Sequence, residues 1–113
     1  MAEARLPAHL EVSGLLRQVE AAGGFATVLR RGERDAGTLL VVLTEKGYNS
    51  RLYERMPQLD GTRRWHCAAR QDPDDPQAFD AYLLRRGTQD SDIWIIELDV
   101  AHPERFIGLS TDD

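Results

Sequence analysis

Apolar residues at Val12, Leu15, Leu16 and Val19 fall at i, i+3, i+4 and i+7, with Ala22 extending the stripe. Glu11, Arg17, Gln18 and Glu20 lie off it, so the segment reads as an amphipathic helix. Pro7 suits a first turn, and Ser13 offers an alternative start as an N-cap. Gly23 and Gly24 stop the helix, because glycine takes the left-handed conformation that closes a last turn. The period then changes from 3.6 to 2. "FATVLR" (25–30) is joined through "RGERDA" to "TLLVVLT" (38–44), then come "SRLYERM" (50–56) and "RRWHCAA" (63–69). Asp60-Gly61 is a two-residue hairpin signal. Asp75 and Pro76 read as an N-cap and N1 pair, opening a short helix with Phe79, Tyr82 and Leu83 on one face and Gly87 at its end. "DIWIIELD" (92–99) is apolar on both faces over Ile93 to Ile96, as in a strand inside a sheet. Residues 100–113 read as a tail in which "RFIGL" could add a short edge strand.

The order α-β-β-β-β-α-β with short connections predicts one α+β domain over residues 1–113. The expectation is a two-layer sandwich, with a mainly antiparallel sheet of about five strands and two helices on one face. With Asp60-Gly61 as the turn, residue pairs across the hairpin sum to 121. Leu52, Met56, Trp65, Cys67 and Ala69 then share the face under the helices. Arg51, Tyr53, Arg55, Arg64 and His66 share an open face.

That division bears on "WHC", which places the single cysteine beside one of three histidines. Neighbours on a strand point to opposite faces, so Cys67 and His66 cannot cooperate as a thiol–imidazole pair. Cys67 reads as a buried, inert thiol. No metal is expected, since His9, His66 and His102 stand on different elements without a short ligand spacing. Asp72, Asp74 and Asp75 favour the start of a helix rather than a calcium loop. "AAGGF" runs from helix to strand, the wrong order for a phosphate loop. No nucleophile elbow, Walker loop or dinucleotide fingerprint appears, so no cofactor is expected and the chain leans away from being an enzyme.

A net charge of −5 disfavours nonspecific nucleic-acid binding. Yet thirteen arginines stand against one lysine, Lys46, and guanidinium suits bidentate contact with carboxylate or phosphate. A single cysteine, no signal-like start and no apolar run longer than "LLVVL" predict a soluble cytoplasmic protein.

Two stretches stand out chemically. One is the open face of Arg51, Tyr53, Arg55, Arg64 and His66, basic and aromatic. The other is the loop "RRGERDAG", which gathers Arg30, Arg31 and Arg34 around Asp35, with Asp35 able to bond its own following backbone.

"LLRQVEAAGGFATVLRRGERDAGTLLVVL" (15–43) and "DSDIWIIELD" (90–99) resemble the small, mostly alphaproteobacterial proteins of domain of unknown function 1491. The likeness covers nearly the whole chain. The family's charged loop usually reads closer to G-D-P-D-A-G, with Glu33 and Arg34 here in its second and third positions. The resemblance implies no activity and carries over no catalytic residue. The leading expectation is a non-enzymatic protein-interaction module, docking a partner or a second copy through the arginine-rich face. Nucleic-acid or phosphate-ligand binding on that face is the alternative, and a small enzyme using unidentified carboxylates a third.

Overall fold

The first amphipathic stripe becomes α1 (Ala8–Ala21), which follows Pro7 directly. Its end is built as the glycines require. Gly23 sits at φ 85°, its N–H donates to Glu20, and the Gly24 N–H donates to Val19. Gly24 lies so close to Val100 that an added Cβ would overlap its side chain. The computed structural model describes residues 6–109, so the end of the expected tail, 110–113, lies outside the described residues. After α1 come β1 (Phe25–Arg30), β2 (Leu39–Glu45), β3 (Tyr48–Pro57), β4 (Arg63–Arg70), α2 (Pro76–Gln89) and β5 (Trp94–Asp99).

The expected element order and α+β class hold, and the sheet is mostly antiparallel, in the order β1-β5-β2-β3-β4. The first four strands do not form one continuous meander. β5, apolar on both faces, inserts between β1 and β2 and runs parallel to β2. The loop 31–38 therefore spans β5 instead of closing a hairpin.

The two helices lie on opposite faces, not on one. α1 covers Leu39, Val41, Leu43, Tyr53, Trp94, Ile96 and Leu98. α2 sets Phe79, Tyr82 and Leu83 against Leu40, Val42, Leu52, Ile93 and Ile95. The cause is legible in β2, where every residue from Leu39 to Thr44 is buried. A run that is apolar at odd and even positions has to be covered on both sides.

The β3–β4 hairpin also departs from the expected pairing. Its turn is a five-residue loop, Gln58 to Thr62, closed by the Gln58 N–H donating to the Thr62 carbonyl at 2.7 Å. Pro57 pairs with Arg63, Arg55 with Trp65, Glu54 with His66 and Tyr53 with Cys67. These pairs sum to 120, one less than a two-residue turn gives, and a one-residue slip exchanges the faces of the second strand relative to the first. A bulge at Ala68 restores the other register, so that Leu52 pairs with Ala69.

The second helix runs past Gly87 to Gln89, with Gly87 buried inside it rather than ending it. The C-terminal stretch forms a 3-10 helix, Pro103–Ile107, and not an edge strand. His102 turns the chain at φ 51°, and Pro103 and Ile107 are buried, Ile107 in the core on the α1 face.

Candidate functional site

The register decides where the candidate residues go. Arg51, Tyr53 and Arg55 alternate with Leu52 and Glu54, and the slip places Trp65 and Cys67 on their side, under α1. His66 goes to the α2 side opposite Glu54. The expected open face of Arg51, Tyr53, Arg55, Arg64 and His66 is therefore not formed, because each face of the sheet carries a helix and the set is divided between them.

Arg51 is a core residue, 3% exposed. It donates to Glu104 of the 3-10 helix, to the Asn49 carbonyl at 2.8 Å and to Glu45 at 3.4 Å. Burial alone would lower its pKa, but the hydrogen bond and charge of Glu104, with Glu45 behind it, outweigh that and raise it. Arg51 thus locks the C-terminal turn to β3. Tyr53, 8% exposed, packs in the same core. Cys67 is half-buried and its thiol donates to the Ala69 carbonyl at 3.6 Å, on the opposite side of the strand from His66. The separation of thiol and imidazole argued from strand geometry therefore holds.

Arg55 is the candidate that reaches a cleft. Its guanidinium donates both nitrogens to Glu11 of α1 at 2.6 and 2.7 Å, and lies 4.8 Å from the centroid of Trp65. A cleft of about 520 Å³ opens between Pro7, Glu11, Asp35, Arg55 and Arg63. A second, of about 390 Å³, lies beyond Arg55 and Arg63, lined further by Arg64, Trp65, Ile107 and Leu109. The two share Arg55 and Arg63 as a common wall. The first contains carboxylates, while the second has, among the described residues, three guanidinium groups, an indole and aliphatic side chains in its lining and no acid. Arg55 and Arg64 do share a site, with Trp65 in place of His66.

The charged loop has a structural task. The backbone carbonyls of Arg34 and Asp35 accept the His9 and Ala8 N–H groups, both at 2.9 Å, and so satisfy orphan donors at the start of α1. Glu33, not Asp35, organises the turn. Its carboxylate accepts the backbone N–H groups of Asp35 and Ala36, and its carbonyl accepts the Trp94 indole N–H at 2.8 Å. Gly32 presses against the backbone of Asp92 and Ile93, and Gly37 against that of Asp92 and Glu33, so a Cβ at either would collide. Arg31 stacks on Trp94 at 5.5 Å, and Arg34 and His9 lie 3.9 Å from Asp35. Of the loop candidates, Asp35 alone lines the first cleft.

Sequence reasoning missed three charged residues. Glu54 receives Arg86 of α2 at 2.9 Å, and that bond holds the Arg86 pKa above its usual value. Glu104 and Glu11 neutralise Arg51 and Arg55 across 53 and 44 residues of chain, separations that no local pattern reveals. Among the described residues, no three His, Cys, Asp or Glu side chains gather as metal ligands, and no helix is long and apolar enough to cross a membrane.

Comparison with known proteins agrees with this architecture. A crystal structure of a DUF1491 family protein from Caulobacter crescentus CB15 shares 31% identity, with 92% of this chain and 96% of that one covered at a TM-score of 0.80. An NMR structure of a DUF1491 family protein from the same organism also shares 31% identity, covering 94% and 96% at 0.77. A solution structure of a protein from A. tumefaciens shares 28%, covering 97% and 98% at 0.73. No curated protein matches the chain. The model of the family described as "Protein of unknown function (DUF1491)" matches residues 6–108, so the chain belongs to the DUF1491 family.

Proposed function

We propose that this protein is a non-enzymatic, cytoplasmic interaction module that receives an acidic segment of a partner protein along the arginine-walled groove. The observation that supports this reading is the cleft that sets the exposed Arg64 beside Trp65, Arg55 and Arg63 on β3 and β4, next to Ile107 and Leu109, with no carboxylate among its described lining residues. Its guanidinium groups suit carboxylates, and its indole and aliphatic walls suit one apolar anchor among the acids. β4 ends the sheet, so an extended segment could also pair along that edge. Glu11 already neutralises Arg55 and fixes it against Trp65, so Arg55 serves as a preorganised wall and the exposed Arg64 supplies charge to the ligand. Nucleic acid is the weaker reading because the chain's net charge of −5 repels a polyanion beyond the cleft.

The test is fluorescence polarisation with a labelled acidic peptide bearing one leucine, and in parallel a labelled single-stranded RNA, at low and high salt. The expected result is peptide binding that weakens with salt and is lost in Arg64→Glu. RNA binding stronger than peptide binding would transfer the site to the nucleic-acid reading. Absence of both at low salt would end both.

A further inference from the structure

A different feature lies across the sheet. Arg51, Arg55 and Arg86 are each at least partly buried, and each lies against a carboxylate: Glu104, Glu11 and Glu54. Arg30 is also partly buried. Among the described residues it makes no hydrogen bond or ion pair, and its Nε is fully enclosed without an acceptor. A bulge at Leu29 turns it towards α2, where it pairs with Ile95 of β5. There it lies flat on Gly87. A Cβ at that position would come within 2.7 Å of Arg30 Cδ and 2.9 Å of its Nε. Glycine weakens a helix interior, and an unpaired, half-buried cation weakens a fold. Taken alone, both residues work against stability, and together they place a guanidinium in the wall of a groove.

That groove, about 230 Å³, runs between β1 and α2, lined by Leu29, Arg30, Asp80, Leu83, Leu84 and Ile95. Its mouth is apolar, with Leu29 45% and Leu84 70% exposed. We infer that this groove binds a monocarboxylate carrying a short aliphatic group, the carboxylate on Arg30 and the aliphatic part against Leu29, Leu83 and Leu84. The planar fork of guanidinium matches a carboxylate. Asp80 in the same lining opposes any anion in proportion to its charge, so a monocarboxylate on Arg30 is opposed less than a doubly charged phosphate. The volume is below the roughly 300 Å³ at which drug-sized ligands begin, so the ligand is small or is one residue of a larger chain. β1 is an edge strand, so the same chemistry could arrive as the C-terminal carboxylate of a peptide laid along it.

The experiment is a titration of the 15N-labelled protein with 3-methylbutanoate, 3-methylbutanamide and inorganic phosphate, followed through the amide signals of Leu29, Leu84 and Gly87. A short peptide ending in leucine, free or amidated at its C-terminus, forms a further arm. Saturable shifts with the carboxylate, and neither with its amide nor with phosphate, are expected. Arg30→Gln should weaken binding about tenfold or more, the worth of a charged hydrogen bond. Its melting temperature without ligand should equal or exceed that of the wild type. Tighter binding of the free-ended peptide than of the small acid would identify a chain terminus as the source, and the reverse would identify a free acid. No saturable shift with any carboxylate, equal binding by the amide, undiminished binding by Arg30→Gln or a destabilised Arg30→Gln would each overturn the inference.

Discussion

Replacing Glu104 by glutamine tests whether one ion pair fastens the C-terminal turn to the sheet. The substitution keeps the shape of the side chain and removes its charge. The Arg51 side chain is 4% exposed and Glu104 21%, so the pair is largely shielded from water. Removing one partner of a buried pair costs about 3–5 kcal/mol, because the other charge is left enclosed. Here the Asn49 carbonyl and Glu45, 47% exposed, still contact Arg51, which brings the expected loss to about 2–3 kcal/mol. For a domain of this size about 4 °C corresponds to 1 kcal/mol, so the melting temperature should fall by about 8–12 °C. Burial opposes ionisation of Glu104, but its own backbone N–H and the hydrogen bond and charge of Arg51 outweigh burial and lower its pKa. A lowered carboxylate contributes stability above its unfolded pKa and loses it as pH falls through the folded one. The gap between wild type and Glu104→Gln should therefore be full at neutral pH and close in acid, below the ordinary 4.5. Calorimetry across that range, with Glu45→Gln as an exposed control worth about 0–1 kcal/mol, measures it. A Glu104→Gln loss under about 0.5 kcal/mol, or a gap that acid does not close, would refute the reasoning. A compensating pair, Arg51→Met with Glu104→Leu, should recover most of the loss.

Other residues give sharper local tests. Burial, and then the charges of Asp99 and Asp80, raise the Glu97 pKa, so wild-type stability falls as pH rises through that raised value. Glu97→Gln should be more stable than wild type at neutral pH, by less than about 1 kcal/mol, and the advantage should vanish in acid below the ordinary carboxylate range. A gain that persists in acid would point to packing instead. Gly32→Ala forces a Cβ into the backbone of Asp92 and Ile93 and should cost about 1–3 kcal/mol in denaturant unfolding. An unchanged midpoint would show that the loop does not dock there. Glu33→Ala leaves two turn amides and the start of α1 less well ordered, and should cost about 1 kcal/mol while speeding hydrogen exchange at Ala8 and His9. Cys67, half-buried beside the Trp65 side of the hairpin, should label slowly with a bulky thiol reagent in the native state and rapidly on unfolding.

Local information carried the element list. Periods of 3.6 and 2, a glycine pair after α1 and Asp75-Pro76 before α2 are short-range preferences of backbone and side chain, so they are visible in any window of sequence. The all-buried run of β2 even contained the reason for a helix on each face, since covering odd and even positions takes two layers. The hairpin register was not local in that sense. Asp60 and Gly61 do turn the chain, with Gly61 at φ 87° and Asp60 accepting the Thr62 N–H, but the loop has five residues rather than two. Because a strand alternates with period two, that single step moved Trp65 and Cys67 to the side of Arg55 and sent His66 to the other. The charged partnerships were further out of reach. Whether an arginine is a core strut, as Arg51 is, a clamped wall, as Arg55 is, or an unmatched cation over a glycine, as Arg30 is, depends on Glu104, Glu11 and Gly87. Those residues lie far away along the chain and come near only when the sheet and its two helices close. Thirteen guanidinium groups look alike in sequence, and only tertiary packing sets which are shielded from water and which carboxylate, if any, stands opposite each.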